Sequence, residues 1–537
     1  MTRPSDVVVI GGGHNGLVTA ALLARQGARV TVLERRAVLG GAAVTEEPWG
    51  PGYRVSALSY VVSLMPAQLV ADLDLRRHGY HVHPQGPYFV PHRDGGALRL
   101  PDDPAARHAE VARFSPRDAD AFVRWDAWLG GLARVLGPLL DATPPRVGSF
   151  APRDVLDQLR LAWSLRRLGV PGVADATRLF TMSIADLLDE FFESPEVQGV
   201  LAVSGVIGTW AGPRSAGTAY VMAHHKLGDL GDGHTGQWGF PAGGMGAVSA
   251  AIAGAARAHG AIVRTDAPVA RVDVRGGRAR AVVLASGEEL PADIVVAAVH
   301  PRVAFGELVD RAELPDDLVA RIDHWRSRSG VVKINLAVDR LPTFRAHPHF
   351  DPDVHGGTIV LADSLDDVEG AFQDAVAGRA AAVPFADICI PSVFDRTLAP
   401  DGEHIVSMFT QWVPHSWADT PPPASALDAY VERVLARVDD VAPGFTSSIK
   451  HRQVIGPHEM QTEYGLVGGN IFHGELSPDQ LFHLRPAPGF ADTRTPIAGY
   501  YYAGSGVHGG GGVTGVPGMH AARAVARDQR RRRGRRP

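Results

Sequence analysis

The chain has 537 residues, of which 45% are hydrophobic and 21% are charged, and its formal net charge is −5. This composition is typical of a globular protein with a large core, and a slightly acidic chain is not expected to bind nucleic acid. No run of about 18 apolar residues occurs, so we expect no membrane-spanning helix. The first residues lack the basic segment and long apolar core of a signal peptide, which predicts a cytoplasmic protein.

Two rare residue types constrain the chemistry. Cys389 is the only cysteine, which fits a reducing compartment because no intrachain disulfide can form. A dithiol redox centre needs two cysteines, so this chain by itself is not a disulfide reductase. Lysine occurs only at Lys226, Lys333 and Lys450, and nearly every other cation is arginine.

The first predicted elements are a buried strand over residues 7–10, a helix over 17–25 and a second strand over 29–33. Glycines of the pattern G-x-G-x-x-G connect the first strand to the helix. An acidic residue follows the second strand, about 20 residues further on. Strand, glycines, helix and acid together form the complete dinucleotide-binding fingerprint.

Each residue of the fingerprint has a predicted role. Gly11 allows the tight turn, Gly13 lets a pyrophosphate approach the backbone at the helix N-terminus, and Gly16 lets the helix pack on the strand. Glu34 is expected to accept hydrogen bonds from the adenosine ribose hydroxyls. This acid suits NAD and FAD equally, because both cofactors carry the same ribose.

The middle of the chain contains a second glycine run, between Gly243 and Gly246. This run does not follow a clear strand, so we interpret it as a closely packed helix N-terminus rather than a second nucleotide fingerprint. A helix is predicted over 247–259. Strands are then predicted at 262–264, 269–274, 279–284 and 294–299.

A segment near the end, "YYYAGSGVHGGGGVTGVPGMHAARAV", is the richest in glycine. Glycine at this density removes side chains and admits positive φ, so a ligand is expected to lie against this backbone. A strand-like stretch precedes the glycines and a helix-like stretch follows them.

The remaining segments show less specific patterns. Residues 76–229 are mainly helical, and the amphipathic stretch 153–169 either packs on the core or contacts a membrane surface. Residues 306–489 mix strands and helices. The basic residues 529–537 are predicted to form a disordered tail.

The motifs "GGGHNGL", "ERR…GGAAVTEE" and "PGYRVSALSYVVSLM" resemble the flavin amine oxidase and phytoene desaturase superfamily. Within it, they most resemble the pyridine nucleotide-disulphide oxidoreductase domain-containing proteins, although the single cysteine here rules out the dithiol chemistry in that name. The resemblance implies an α/β fold with a discontinuous, glutathione-reductase-like FAD-binding Rossmann domain and an α+β substrate domain. The implied FAD domain comprises 1–75, 230–305 and 490–528, and the substrate domain comprises 76–229 and 306–489.

The resemblance also implies that FAD is bound non-covalently by residues from all three segments. Val269 would place its backbone against the adenine, Gly504 would meet the pyrophosphate, and the backbone from Val513 to Val516 would lie under the isoalloxazine ring. The implied FAD-binding residues are Gly11, Gly13, His14, Asn15, Gly16, Glu34, Arg35, Gly40, Gly41, Ala42, Val269, Gly504, Ser505, Gly512, Val513 and Val516.

Lys333, in the predicted strand "SGVVKINLAV", is the candidate catalytic residue. Amine oxidases that the sequence resembles carry a lysine on such a strand, which reaches flavin N5 through a water. The alternative is a lysine on an edge strand, in solvent. His234 and Trp238 either line the same pocket or are ordinary loop residues. No metal-ligand cluster or serine nucleophile motif stands out, so the flavin is expected to carry the chemistry.

The resemblance therefore implies an oxidoreductase that dehydrogenates (desaturates) a small or apolar organic substrate through FAD, or runs the reverse reaction. One alternative is a flavin amine or amino-acid oxidase that produces hydrogen peroxide, and another is a non-catalytic FAD-binding scaffold. The sequence leaves open the oligomeric state and the electron acceptor, among molecular oxygen, a quinone and a nicotinamide. A peripheral membrane contact is also left open.

Overall fold

The computed structural model describes residues 5–231 and 236–533. Within these ranges the chain forms eighteen strands: β1 (Ser5–Ile10), β2 (Val30–Leu33), β3 (Thr45–Glu46), β4 (Val55–Ser56), β5 (Val82–Pro84), β6 (Tyr88–Pro91), β7 (Ala97–Leu100), β8 (Gly239–Pro241), β9 (Ile262–Arg264), β10 (Val269–Val274), β11 (Ala279–Leu284), β12 (Glu289–Ala297), β13 (Val331–Val338), β14 (Thr358–Leu361), β15 (Phe385–Cys389), β16 (His404–Gln411), β17 (Ile449–Ile455) and β18 (Tyr500–Tyr502).

The same ranges contain sixteen α-helices: α1 (His14–Arg25), α2 (Ala67–Asp72), α3 (Pro104–Val111), α4 (Pro116–Leu140), α5 (Pro152–Arg166), α6 (Gly169–Thr181), α7 (Ile184–Asp189), α8 (Pro195–Ser204), α9 (Thr218–His225), α10 (Met245–Ala258), α11 (Asp316–Asp323), α12 (Pro352–His355), α13 (Leu365–Val376), α14 (Ala424–Val441), α15 (Pro457–Thr462) and α16 (Val516–Arg533). None of the helices in this described part of the chain has the length and apolar character needed to cross a bilayer.

The first large sheet is built around a parallel core. Strands β18, β12, β1, β2 and β9 are parallel neighbours in that order, and β10 and β11 extend the sheet by antiparallel pairing on β12. The four residues of β2 and the apolar end of β1 are buried, as expected for parallel strands covered on both faces. Helices α1, α10 and α16 pack together on one face. This arrangement is the dinucleotide-binding architecture that the fingerprint predicts.

The second large sheet has the order β17–β13–β16–β15–β14–β6–β7, with antiparallel pairs except for the parallel pair β14–β6. An extensive apolar core that includes residues of α4, α8, α13 and α14 covers one face. On the other face, Val331 and Phe409 join an apolar cluster with Val44 and Ala57, which follow the first βαβ unit. The second sheet therefore presents one face to the first domain.

Strands of the first sheet come from segments 1–75, 230–305 and 490–528, and strands of the second from 76–229 and 306–489. The two-stranded sheet β5–β8 pairs a strand of the predicted substrate segment 76–229 with a strand of the predicted FAD segment 230–305. The domain boundaries themselves stay a prediction.

Three expectations about single elements need correction. β12 begins at Glu289 rather than at 294, because its first half pairs with β11 and its second half with β1. The glycine run near Gly243 does follow a strand, β8, but β8 pairs with β5 and Val62 and not with the large parallel sheet. The tail predicted to be disordered is helical over 529–533, because arginine favours the helix and α16 continues through it. Residues 534–537 and His234 lie outside the described residues.

Candidate active site

A cavity of about 330 Å³ lies between the two sheets. The turn after β1 and the end of β2 line one part of it, and the face of the second sheet that is turned toward the first domain lines another. Pockets for drug-sized ligands have volumes of roughly 300–1,000 Å³. The cavity lies within this range, and its lining reaches from the turn after β1 to the second sheet.

The fingerprint glycines shape the first part of the cavity. Gly11 has a φ of +102°, and a Cβ on Gly16 would come within 2.0 Å of the Gly11 carbonyl oxygen, so α1 packs directly on the turn. A Cβ on Gly13 would have only the Gly40 carbonyl oxygen near it, at 4.0 Å. The helix α1 begins at His14 with no side-chain cap at Gly13. Its first amide groups and positive dipole end therefore lie at this wall, where a phosphate is favoured.

Glu34 is held at the end of β2. Its Oε2 accepts a hydrogen bond from the Gly12 amide at 2.7 Å, and its Oε1 accepts one from the Arg36 amide at 2.9 Å. The residue is 7% exposed and lines the cavity. A carboxylate has about four acceptor positions, so each oxygen retains capacity for one ribose hydroxyl.

Four buried polar atoms of lining residues lack partners in the described structure: His14 Nε2, Asn15 Oδ1, Arg36 Nη1 and His473 Nδ1. Burial lowers the pKa of His14 and of His473 to about 4, so both rings are neutral at neutral pH. Leaving a buried polar atom unpaired costs about 1–3 kcal/mol. A polar ligand that pairs with these atoms fits the wall, and FAD is such a ligand.

The glycine-rich C-terminal loop forms the wall beside the first βα turn. Ser505, Gly512 and Val513 line the cavity, and Ser505 Oγ accepts a hydrogen bond from Asn15 Nδ2 at 3.0 Å. Val513 has a φ of +59°, which is rare for a branched residue. The loop and the first βα turn are thereby fixed against one another.

Arg485, which sequence reasoning missed, holds this loop in place. Its buried guanidinium donates hydrogen bonds to the carbonyl oxygens of Phe472, Gly474 and Ser505, at 2.8, 3.4 and 3.1 Å. Its sequence neighbours carry no motif, so its role becomes visible only when the distant carbonyls are brought together.

Most residues predicted to bind FAD line this cavity: Gly11, Gly13, His14, Asn15, Glu34, Arg35, Gly40, Gly41, Ala42, Val269, Ser505, Gly512 and Val513. Gly16, Gly504 and Val516 lie outside the lining. The space that a Gly504 side chain would need is filled by the Val299 carbonyl oxygen, at 2.0 Å from a built Cβ, so close packing requires glycine here. Its contact with the pyrophosphate stays a prediction. Val516 is buried in the core of the first domain at the start of α16.

Lys333 faces the same cavity from β13. β13 lies between β16 and β17, and Lys333 is 1% exposed, so the alternative of an edge-strand lysine in solvent is wrong. Its Nζ donates hydrogen bonds to Asn335 Oδ1 and Ser407 Oγ, and lies 5.1 Å from the centre of the Tyr60 ring. Burial lowers the pKa of Lys333 to about 7. This side chain can therefore exchange a proton near neutral pH.

Asp387 on β15 is a second buried titratable group at this end of the cavity. The Tyr60 hydroxyl donates a hydrogen bond to its carboxylate, and the Cys389 thiol lies 3.8 Å from Asp387 Oδ1. Burial raises the pKa of Asp387 to about 7. Sequence reasoning missed this residue, although an acid within the apolar stretch "FADICI" is the same kind of signal as Lys333. No group of His, Cys, Asp and Glu among the described residues could hold a metal ion.

Residues 16–527 match the family described as flavin containing amine oxidoreductase. The chain belongs to this family. It is 41% identical over 544 residues to pyridine nucleotide-disulfide oxidoreductase domain-containing protein 2 of Rattus norvegicus, an alignment that covers 97% of this chain and 93% of that protein. It is 28% identical over 541 residues to hydroxyneurosporene desaturase of Cereibacter sphaeroides, with 97% of each chain covered.

The fold of the flavin amine oxidoreductases recurs in solved structures. Putrescine oxidase bound to putrescine superimposes with a TM-score of 0.61 and 17% sequence identity, and 98% of each chain is covered. Together the family and the fold confirm the predicted two-domain FAD fold and the class of FAD-dependent oxidoreductase. The resemblance to pyridine nucleotide-disulfide oxidoreductase domain-containing and desaturase proteins is likewise confirmed.

Proposed function

We propose that the chain holds FAD non-covalently in the cavity between the sheets and uses it to desaturate a small, largely apolar organic molecule. The observation that carries the proposal is the continuity of the cavity. One wall bears Gly13 and Glu34 of the dinucleotide fingerprint, and another bears the buried Lys333. A cofactor held at the first wall and a substrate held at the second would share one continuous cavity.

The protein's own residues would bind the cofactor, exclude water and move a proton. The amide groups at the start of α1 and the carboxylate of Glu34 would bind the pyrophosphate and the ribose. When bound, FAD supplies an oxidant that accepts a hydride. Lys333, held by Asn335 and Ser407, would fix a water or exchange a proton beside the reacting carbon.

Two measurements distinguish the alternatives. A flavin amine or amino-acid oxidase releases hydrogen peroxide when amines are supplied, whereas a desaturase is expected to release none with them. A non-catalytic scaffold would keep its flavin oxidised with every donor under anaerobic conditions. Mass spectrometry of a cell extract incubated with the protein, searched for products lighter or heavier by one hydrogen molecule, would identify the substrate and the direction of the reaction.

Glu34→Ala is expected to weaken FAD retention at least about 10-fold. The variant removes the acceptor for two ribose hydroxyls, and hydrogen bonds to a charged group contribute about 1.5–3 kcal/mol each. The measurement is the FAD content of purified protein and its dissociation constant after reconstitution. Glu307→Ala, which removes an exposed carboxylate outside the cavity, is the matched control. A Glu34→Ala protein that binds FAD as tightly as wild type would show that the ribose lies elsewhere.

We further propose that α5, α6 and the loop before them form a membrane-docking surface. Exposed apolar side chains are concentrated here: Val147, Phe150, Val155, Leu156, Leu159, Trp163, Val170 and Val173. Arg166 and Arg167 are exposed beside them, and the Arg167 guanidinium lies 4.4 Å from the centre of the Trp163 ring. Apolar side chains flanked by arginine suit an anionic lipid surface.

Phe150→Asp is expected to reduce binding to phosphatidylglycerol vesicles at least about 10-fold, because inserting a phenylalanine contributes about 1.5–3 kcal/mol. Phe150 is 93% exposed, so the substitution should leave the fold intact. Phe350→Asp changes an exposed aromatic residue outside this surface and is the matched control. The measurement is co-sedimentation with vesicles, and equal binding by the two variants would refute the docking surface.

A further inference from the structure

The far end of the cavity carries two buried side chains of opposite charge type that do not pair with each other. Lys333 on β13 and Asp387 on β15 both have Phe409 of β16 as their register partner. Two strand spacings separate their Cα atoms by roughly 10 Å. No ion pair joins them in the part of the chain that the structure describes. Their polar heads therefore face the cavity from the two sides of Phe409.

The ammonium group of Lys333 and the carboxylate of Asp387 can each form at least one further hydrogen bond to a ligand. An ammonium group has three N–H donors, and Lys333 uses two of them, toward Asn335 and Ser407. The carboxylate of Asp387 accepts one hydrogen bond from Tyr60 and a weak one from the Cys389 thiol, which leaves acceptor positions on both oxygens. One donor and at least one acceptor remain for a group that enters between them.

The walls around this end are mostly aromatic or aliphatic. Phe409, Tyr88, Ile207, Trp238 and Phe472 all line the cavity, so the body of a ligand here would be apolar. The two titratable groups have complementary charges, and their net charge is zero whether the proton is on Lys333 or on Asp387. Because the two groups balance each other, a cationic or an anionic ligand would add a net charge to this buried end of the cavity.

We propose that Lys333 and Asp387, with Tyr60, form a recognition site for a neutral oxygen function, a carbonyl or hydroxyl, on an otherwise apolar substrate. The site selects this group over an ammonium or a plain hydrocarbon, because an ammonium would add a buried charge without a counter-charge and a hydrocarbon would leave the remaining donor unpaired. The inference deepens the proposed function by naming the substrate class, and it rests on that function.

Isosteric probes test this site in FAD-loaded protein. Acetophenone, α-methylbenzylamine and cumene have the same carbon body and differ in the carbonyl, the amine and a methyl group. We expect acetophenone to bind at least about 10-fold more tightly than the other two, which corresponds to one hydrogen bond to a charged group. Isothermal titration calorimetry measures each dissociation constant without turnover.

Variants assign the preference to the named residues. Lys333→Met and Asp387→Asn should each weaken the binding of acetophenone at least about 10-fold and leave the dissociation constant of cumene nearly unchanged. Lys450→Met, which removes an exposed lysine paired with Glu403, should change neither ligand. FAD content, measured on every sample, shows whether a variant is folded, and Tyr60→Phe provides a second test if Asp387→Asn fails to fold.

The inference is overturned if cumene or the amine binds as tightly as acetophenone. It is also overturned if acetophenone does not bind at millimolar concentration, or binds both Lys333→Met and Asp387→Asn as it binds wild type. Wild-type protein that retains no FAD would contradict the proposed function and this inference with it. FAD-loaded protein without a preference for the ketone contradicts the inference alone.

Discussion

Gly13→Val is expected to give a folded but colourless protein. Gly13 has extended backbone angles, φ −70° and ψ 167°, which valine adopts readily, so the substitution adds no backbone strain. Its side chain would extend into the space before the start of α1, where the pyrophosphate is proposed to lie. Because three side-chain carbons would occupy the position of the phosphates, we expect FAD affinity to fall at least about 1,000-fold, a loss of about 4 kcal/mol.

The measurements for Gly13→Val are the flavin absorbance of the purified protein and the thermal unfolding of the apoprotein. Gly370→Val is the matched control, since its glycine lies on α13 with open space around a Cβ. The control should remain yellow. A Gly13→Val protein with a full complement of FAD would exclude this turn as the pyrophosphate site.

Lys333→Met is expected to retain FAD and to slow substrate-dependent flavin reduction at least about 10-fold, at the low end of the effect of a general acid–base group. Methionine fills the buried space but can neither hold a water nor exchange a proton. Lys333→Arg should not restore the rate, because a guanidinium keeps its proton and its planar fork does not fit the two acceptors that hold Nζ.

Stopped-flow reduction of the flavin under anaerobic conditions, with the substrate once it is identified, measures this effect. Lys450→Met again serves as the control, because that lysine is exposed and forms its ion pair with Glu403. If Lys333→Met is reduced at the wild-type rate, the lysine is a structural residue of the sheet and takes no part in the reaction.

The sequence predicted those parts of the site that are determined by residues close together in the chain. The turn after β1 is determined largely by neighbouring residues, since Gly11 has a positive φ and a side chain on Gly16 would collide with the Gly11 carbonyl oxygen. Lys333 was predicted from its apolar neighbours, and its burial follows from the central position of β13, which no local pattern reveals.

Residues whose role depends on distant partners could not be predicted. Arg485 binds carbonyl oxygens on either side of a long loop, and Asp387 meets Tyr60 only because the second sheet faces the segment after β4. Gly504 belonged to a correct motif, yet the carbonyl of Val299 fills the space beside it. A family pattern predicts where a glycine is needed, but it does not predict whether a cofactor or another part of the chain lies against that glycine.

The hydrogen bond between Asn15 and Ser505 joins residues 490 positions apart in the chain. Strand β18 pairs in parallel with β12, which is itself a neighbour of β1. Only α16 follows β18 in the chain, so the first sheet is completed by one of the last elements to be synthesised. Contacts of this sequence separation make folding slow, because loop closure precedes the stabilising contacts. We therefore expect the FAD site to be completed, and FAD to bind, only after the C-terminal segment has been synthesised.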